Sequence, residues 1–152
     1  MPGALRFPYQ ARMDDLRSAD KDRQNAAFTS LGEATQVPVD WAYEVWDDLL
    51  SILVVGDNRQ RAIGAQILCN LATSDPQGRM VQDVEALLGV TKDKRFVTAR
   101  HCLKSLWKVA VAGERQREVV VQGVGATIPG VRGRKERYVD SLRHFGGPQT
   151  GV

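Results

Sequence analysis

Apolar and polar positions recur along most of the chain with the period of an α-helix. Met80, Val81, Val84, Leu87 and Leu88 follow the i, i+1, i+4, i+7, i+8 spacing of one apolar helix stripe. Asp75-Pro76 ahead of them is a start signal, a capping carboxylate followed by a proline whose missing N–H costs nothing in a first turn. Gly89 behind them is a stop signal, because glycine enters the left-handed cap conformation cheaply. Upstream, Asp40 is placed to cap a helix carrying Trp41, Ala42, Val45, Trp46, Leu49, Leu50 and Leu53, a stripe wide enough to be covered on more than one side. Downstream, Phe96, Ala99, Leu103, Leu106 and Ala110 predict the core stripe of another helix, with Cys102 and Trp107 on its flank. Ala62, Ala65, Cys69 and Ala72 place small residues along a further helix, which lets neighbouring helices approach closely.

The helical stretches repeat at a step of 36 residues. Lys21-Asp-Arg-Gln-Asn-Ala-Ala-Phe-Thr-Ser-Leu31, Asp57-Asn-Arg-Gln-Arg-Ala-Ile-Gly-Ala-Gln-Ile67 and Asp93-Lys-Arg-Phe-Val-Thr-Ala-Arg-His-Cys-Leu103 align without a gap. Arginine recurs at 23, 59 and 95, a small or apolar residue at 27, 63 and 99, and a branched aliphatic residue at 31, 67 and 103. A period of this size with helical spacing inside it is the mark of a stacked helical array, in which each unit is covered by its neighbours. The predicted fold class is therefore all-α, a short right-handed α-solenoid of helix pairs. The pairs are 9–18 with 20–34, 39–55 with 57–72, 76–89 with 93–111, and 114–125 with 134–145. One domain over 1–145 is expected, in units of about 9–34, 39–72, 76–111 and 114–145, with 146–152 as a tail. In the last unit Val119-Val120-Val121 and the glycines at 123, 125, 130 and 133 blur the pattern, as in a terminal unit.

The acidic turn followed by arginine, Asp57-Asn-Arg59 and Asp93-Lys-Arg95, with the small residue and the leucine after it, resembles the HEAT-repeat family of armadillo-like helix-pair solenoids. The resemblance covers about residues 18–111, and the first unit departs from it, with Lys21 where the later units have aspartate. It implies a curved stack whose second helices line a concave binding surface. It also implies that the recurrent arginines are scaffolding, Asp57 pairing with Arg59 or Arg95 and Asp93 with Arg95.

Composition adds limits. A chain of 152 residues with 43% apolar and 26% charged side chains reads as one soluble, globular unit. The longest apolar stretch, Leu49 to Val55, is too short to cross a bilayer, so no membrane role is expected. There is no charged-then-apolar leader, and two cysteines make no disulfide framework, so a reduced, cytoplasmic home is expected. Net charge is +3, unevenly spread: residues 1–99 carry 11 basic and 14 acidic side chains, and residues 100–152 carry 10 basic and 4 acidic ones. The split of −3 against +6 favours an anionic partner or head-to-tail self-association.

Chemistry is harder to find. His101 and Cys102 are neighbours pointing about 100° apart on a helix and do not share a metal, and no Cys-x-x-Cys exists. Cys69 and Cys102 read as small core residues. Gly123-Val-Gly125 lacks the last glycine of a dinucleotide fingerprint, and Val131-Arg132 stands where a Walker loop needs Lys-Ser/Thr. Asp14-Asp15 and Asp47-Asp48 are adjacent pairs that do not aim at one point. The sequence therefore gives no catalytic set and asks for no cofactor.

What it does give is a basic ridge. Arg100, Lys104 and Lys108 stand at i, i+4 and i+8, with Arg61 of the preceding unit expected beside them and Arg134, Lys135 and Arg137 as an extension. Such a ridge suits an acidic protein or peptide, or a phosphate backbone; the plain alternative is a solvated face. The leading expectation is a non-catalytic protein-interaction or scaffold module. The alternative is a nucleic-acid-binding module, distantly like the DNA-alkylation-repair glycosylases that resemble HEAT stacks. Their aromatic-plus-aspartate site has a counterpart only in Trp107, since no carboxylate follows Asp93 on that helix.

Overall fold

Capping aspartates and short turns cut the chain into helices. The computed structural model describes residues 9–127. Along them run α1 (Gln10–Leu16), α2 (Lys21–Ala34), α3 (Ala42–Val55), α4 (Asn58–Asn70), a 3-10 turn (Leu71–Ser74), α5 (Arg79–Thr91), α6 (Phe96–Ser105), α7 (Trp107–Ala110) and α8 (Glu114–Thr127). No strand occurs among the described residues, so the all-α class holds. The helix expected at 134–145 and the tail lie outside them.

Two starts follow directly from sequence. Asp20 accepts hydrogen bonds from the backbone N–H groups of Asp22 and Arg23. Asp57 closes a capping box with Gln60, each side chain serving the other's backbone N–H. A cap of this kind contributes about 1 kcal/mol, because a helix start leaves N–H groups with no internal partner.

Three expected boundaries move. Trp41, not Asp40, stands at the N-cap of α3, and no side chain caps that end. α5 begins at Arg79 instead of at Pro76, because a turn closes first: Gly78 N–H donates to the Asp75 carbonyl at 3.1 Å. That turn needs a left-handed residue, and Gly78 supplies it with φ 68°. Asp75 still caps the helix from upstream, its two carboxylate oxygens accepting from Arg79 N–H and Met80 N–H, both at 2.8 Å. Finally, α5 runs through Gly89 to Thr91, since Val90 and Thr91 behind the glycine are buried. Their burial outweighs the roughly 1 kcal/mol that an interior glycine costs.

The buried side chains from Met13 to Val124 form one contiguous cluster, with Trp46 fully enclosed. α3 packs on α4, α5 on α6, and α5 and α7 on α8, while α2 meets α4, α4 meets α6 and α3 meets α5. The small-residue stripe is where expected: Ala62, Ala65, Cys69 and Ala72 are all buried. At Gly64 the backbone of α4 comes so near α3 that an added Cβ would lie 3.0 Å from Ile52 Cγ2.

Polar bonds between helices have a consistent reach in sequence. Asn70 Nδ2 donates to Thr35 Oγ1 at 2.9 Å across 35 residues, and Lys108 donates to Asn70 Oδ1 across 38. Arg59 donates to Gln24 and Asn25 across 35 and 34 residues. On α3 and α5, Trp46 Nε1 donates to Asp83 at 2.8 Å across 37, and Arg79 to Asp47 at 2.7 Å across 32. Start meets start and end meets end, so α2, α4 and α6 run side by side in the same direction.

The expected core stripe of the third repeated helix is rotated. Thr98, Cys102, Ser105, Leu106, Val109 and Ala110 are buried, Leu103 is half-buried, and Phe96 is exposed. Each buried polar member has an acceptor: Thr98 Oγ1 donates to Asn58 O of α4 at 3.4 Å, Cys102 Sγ to Leu87 O of α5 at 3.2 Å and Ser105 Oγ to His101 O of its own helix at 3.1 Å. Small side chains with their polarity absorbed fit the close seam against α4 better than a phenyl ring does.

Candidate partner-binding surface

The sequence marks seven cations, and four fall among the described residues. They do not act as one ridge. Arg61, in the first turn of α4, is committed to structure: it forms an ion pair with Asp93, and its Nε donates to the Leu53 carbonyl at 3.1 Å. Asp93 is not the partner of the Arg95 side chain; its other oxygen accepts from Arg95 N–H at 2.7 Å. Arg59 likewise bypasses Asp57 for Gln24 and Asn25. Of the recurrent arginines, Arg59 is tied into the fold by partners other than the expected ones, the Arg23 side chain lies 3.9 Å from Asp15, and the exposed Arg95 side chain forms no ion pair among the described residues.

Lys108 is half-buried and shared between Asn70 and the face of Trp107, 5.7 Å from that ring's centre. Arg100 and Lys104 are exposed on the outer side of α6 and form no ion pair among the described residues. Arg134, Lys135 and Arg137 lie outside the described residues. What remains of the expected ridge is a pair, Arg100 and Lys104, with Lys108 at its end.

The pair has company that charge-based reading passes over. Phe96 and Val97 are 61% and 63% exposed, and Trp107 and Val111 also reach solvent. At 100° per residue, positions 96, 100, 104, 107 and 111 share one face of the α6–α7 rod. The face carries no carboxylate, since no acidic residue occurs between Asp93 and Glu114. A signal for it existed in the sequence: Phe96 and Trp107 are spaced i, i+11, the same spacing that keeps them beside Arg100 and Lys104.

Elsewhere the chemistry is structural. His101 is exposed while Cys102 is enclosed, so the neighbours face opposite ways. Burial pushes the Cys102 thiol up to about 12 and the Cys69 thiol well above its usual 9.0, which leaves both protonated near neutrality. Arg79 lies over Tyr43 and Trp46 at 5.3 and 5.4 Å from the ring centres while bonding Asp47, a clasp between α3 and α5. A depression on α2 is lined by Asn25, Ala26, Thr29, Ser30 and Glu33, open to solvent and holding a single carboxylate. Among the described residues no group of three or more His, Cys, Asp or Glu gathers to hold a metal ion. No helix of the described residues is long and apolar enough to cross a membrane. Compared with protein-family models, curated proteins and solved structures, the chain matches none.

Proposed function

We propose that this chain is a non-catalytic binding module, a short right-handed α-solenoid of HEAT-like helix pairs that takes a protein or peptide on the side lined by its second helices. Support for the solenoid comes from the set of long-range polar bonds that join sites 31 to 43 residues apart, close to the 36-residue step of the sequence repeat. The observation that carries the binding reading is the pair Arg100 and Lys104, exposed on α6 without a carboxylate on α6 or α7 to neutralise them. A scaffold that ties Arg59 and Arg61 into internal bonds and leaves Arg100 and Lys104 exposed without an ion pair among the described residues has charge available for an acidic partner.

The test is affinity isolation of the full chain from its native cell at low salt, with and without nuclease, beside the Arg100→Glu/Lys104→Glu variant. The expected result is a defined protein that survives nuclease and is lost with the variant, whose helical melt stays unchanged. Retained material that nuclease removes, with affinity falling steeply in salt, replaces this reading with nucleic-acid binding.

A further inference from the structure

We infer that the outer face of α6 and α7 is the docking site of an acidic amphipathic helix, one that presents apolar side chains to Phe96 and Trp107 and carboxylates to Arg100 and Lys104. The inference rests on the binding-module reading and names the partner's chemistry.

The face has the two components that such a helix needs, in one register. Phe96, half-buried Leu103 and Trp107 follow one another at i, i+7 and i+11 along the rod. Arg100 and Lys104 run beside them at i and i+4, with Val111 in line between the two and Val97 at the far edge. Apolar residues this exposed at the same end of a structure as unpaired cations are not explained by the fold. On the opposite face Thr98 donates to the Asn58 carbonyl of α4 and Cys102 to the Leu87 carbonyl of α5, so that face is the one committed to the fold. The rod from Phe96 to Ala110 is about 22 Å long, which matches about four turns of a partner helix.

Charge decides between the occupants. The chain's own residues 128–152 carry five basic and two acidic side chains, a net of +3, and would bring like charge to the face. In a second copy, the exposed side of α2 offers Asn25, Ala26, Thr29 and Glu33, with no large apolar side chain to meet Phe96. A nucleic acid would find only two or three cations on the face, where tight backbone binding recruits roughly 6–10 phosphate contacts. An acidic amphipathic helix satisfies both the cations and the apolar row.

The experiment titrates the full chain with a fluorescent helical probe of about 16 residues, leucine on one stripe and glutamate elsewhere. Two controls accompany it: a glutamate-rich probe without leucine, and a single-stranded oligonucleotide. The expected result is saturable binding of the amphipathic probe alone. It weakens at least fivefold with Phe96→Ser and at least tenfold with Arg100→Glu/Lys104→Glu, while neither variant changes the helical melt. Equal binding of the leucine-free probe, with no effect of Phe96→Ser, overturns the inference and leaves the acidic-partner reading standing. Preference for the oligonucleotide overturns both. A concentration-dependent doubling of mass that Phe96→Ser abolishes makes the occupant a second copy. No binding up to about 1 mM probe also overturns it.

Discussion

Arg61 at the start of α4 is joined to Asp93 in the turn before α6, and the Asp93 side chain is only 6% exposed. The same arginine holds the last turn of α3 through the Leu53 carbonyl. One side chain therefore fixes three successive segments, and the residue is a clamp rather than part of the binding face. Arg61→Ala leaves a mostly buried carboxylate without its cation. Its expected cost is about 1–3 kcal/mol in urea denaturation, with no loss of probe affinity at temperatures where the variant is folded. An affinity loss without destabilisation would return Arg61 to the binding surface.

Asp75 ties together a turn, a helix start and another helix. Its oxygens accept from Arg79 and Met80 N–H, and the Tyr43 hydroxyl donates to it. Asp75→Ala is expected to cost about 1–2 kcal/mol and Tyr43→Phe about 0.5–1.5 kcal/mol. The double variant is expected to cost less than their sum, because both singles break the same bond. Strict additivity in a denaturation cycle would show that the two groups act independently.

Two glycines at the ends of the same helix call for opposite effects. Gly78 has φ 68°, so Gly78→Ala forces a strained conformation and is expected to cost about 1–2 kcal/mol. Gly89 lies inside α5 with nothing within 4 Å of an added Cβ, so Gly89→Ala is expected to gain about 0.5–1 kcal/mol. Thermal melts of the two variants should move in opposite directions. A fall in both would mean that α5 ends at Gly89 after all.

The buried thiols set an alkaline limit. Burial raises Cys102 from its usual 9.0 to about 12 and raises Cys69 well above 9.0. Above pH 9 the unfolded chain releases these protons while the folded chain keeps them, so stability falls as pH rises. The Cys102 thiol contributes a slope of about 1.4 kcal/mol per pH unit between pH 9 and about 12, and Cys69 adds to it in the same direction. Urea titrations at pH 8 and pH 10 should show Cys102→Ala losing less stability between the two than the parent does. Equal losses would mean that the Cys102 thiol ionises as readily folded as unfolded.

Much of this fold is legible in the sequence where the physical signal is local. Asp20 and Asp57 announce their helices because a carboxylate at an N-cap acts on the next three residues, and the stripe through Met80, Val84, Leu87 and Leu88 reads directly as buried. What failed depended on contacts far along the chain. Phe96 looks like a core residue by spacing, but the seam with α4 selects Thr98, Cys102 and Ser105, whose polarity is absorbed by bonds that a hydrophobicity pattern cannot display. The same displacement hid the proposed binding face: the ring expected inside stands outside on the helix that carries Arg100. The ion pair of Arg61 stayed hidden for a related reason, since its partner Asp93 is 32 residues away in sequence.

The central claim is that the α6–α7 face is where this molecule meets its partner. Amide resonances of the uniformly labelled full chain, followed during titration with the acidic amphipathic probe, test it most directly. The account predicts that shifts concentrate at Phe96, Val97, Arg100, His101, Lys104 and Trp107 and leave α1 and α2 unmoved. Shifts centred on α1 and α2, or spread evenly over the chain, would contradict it.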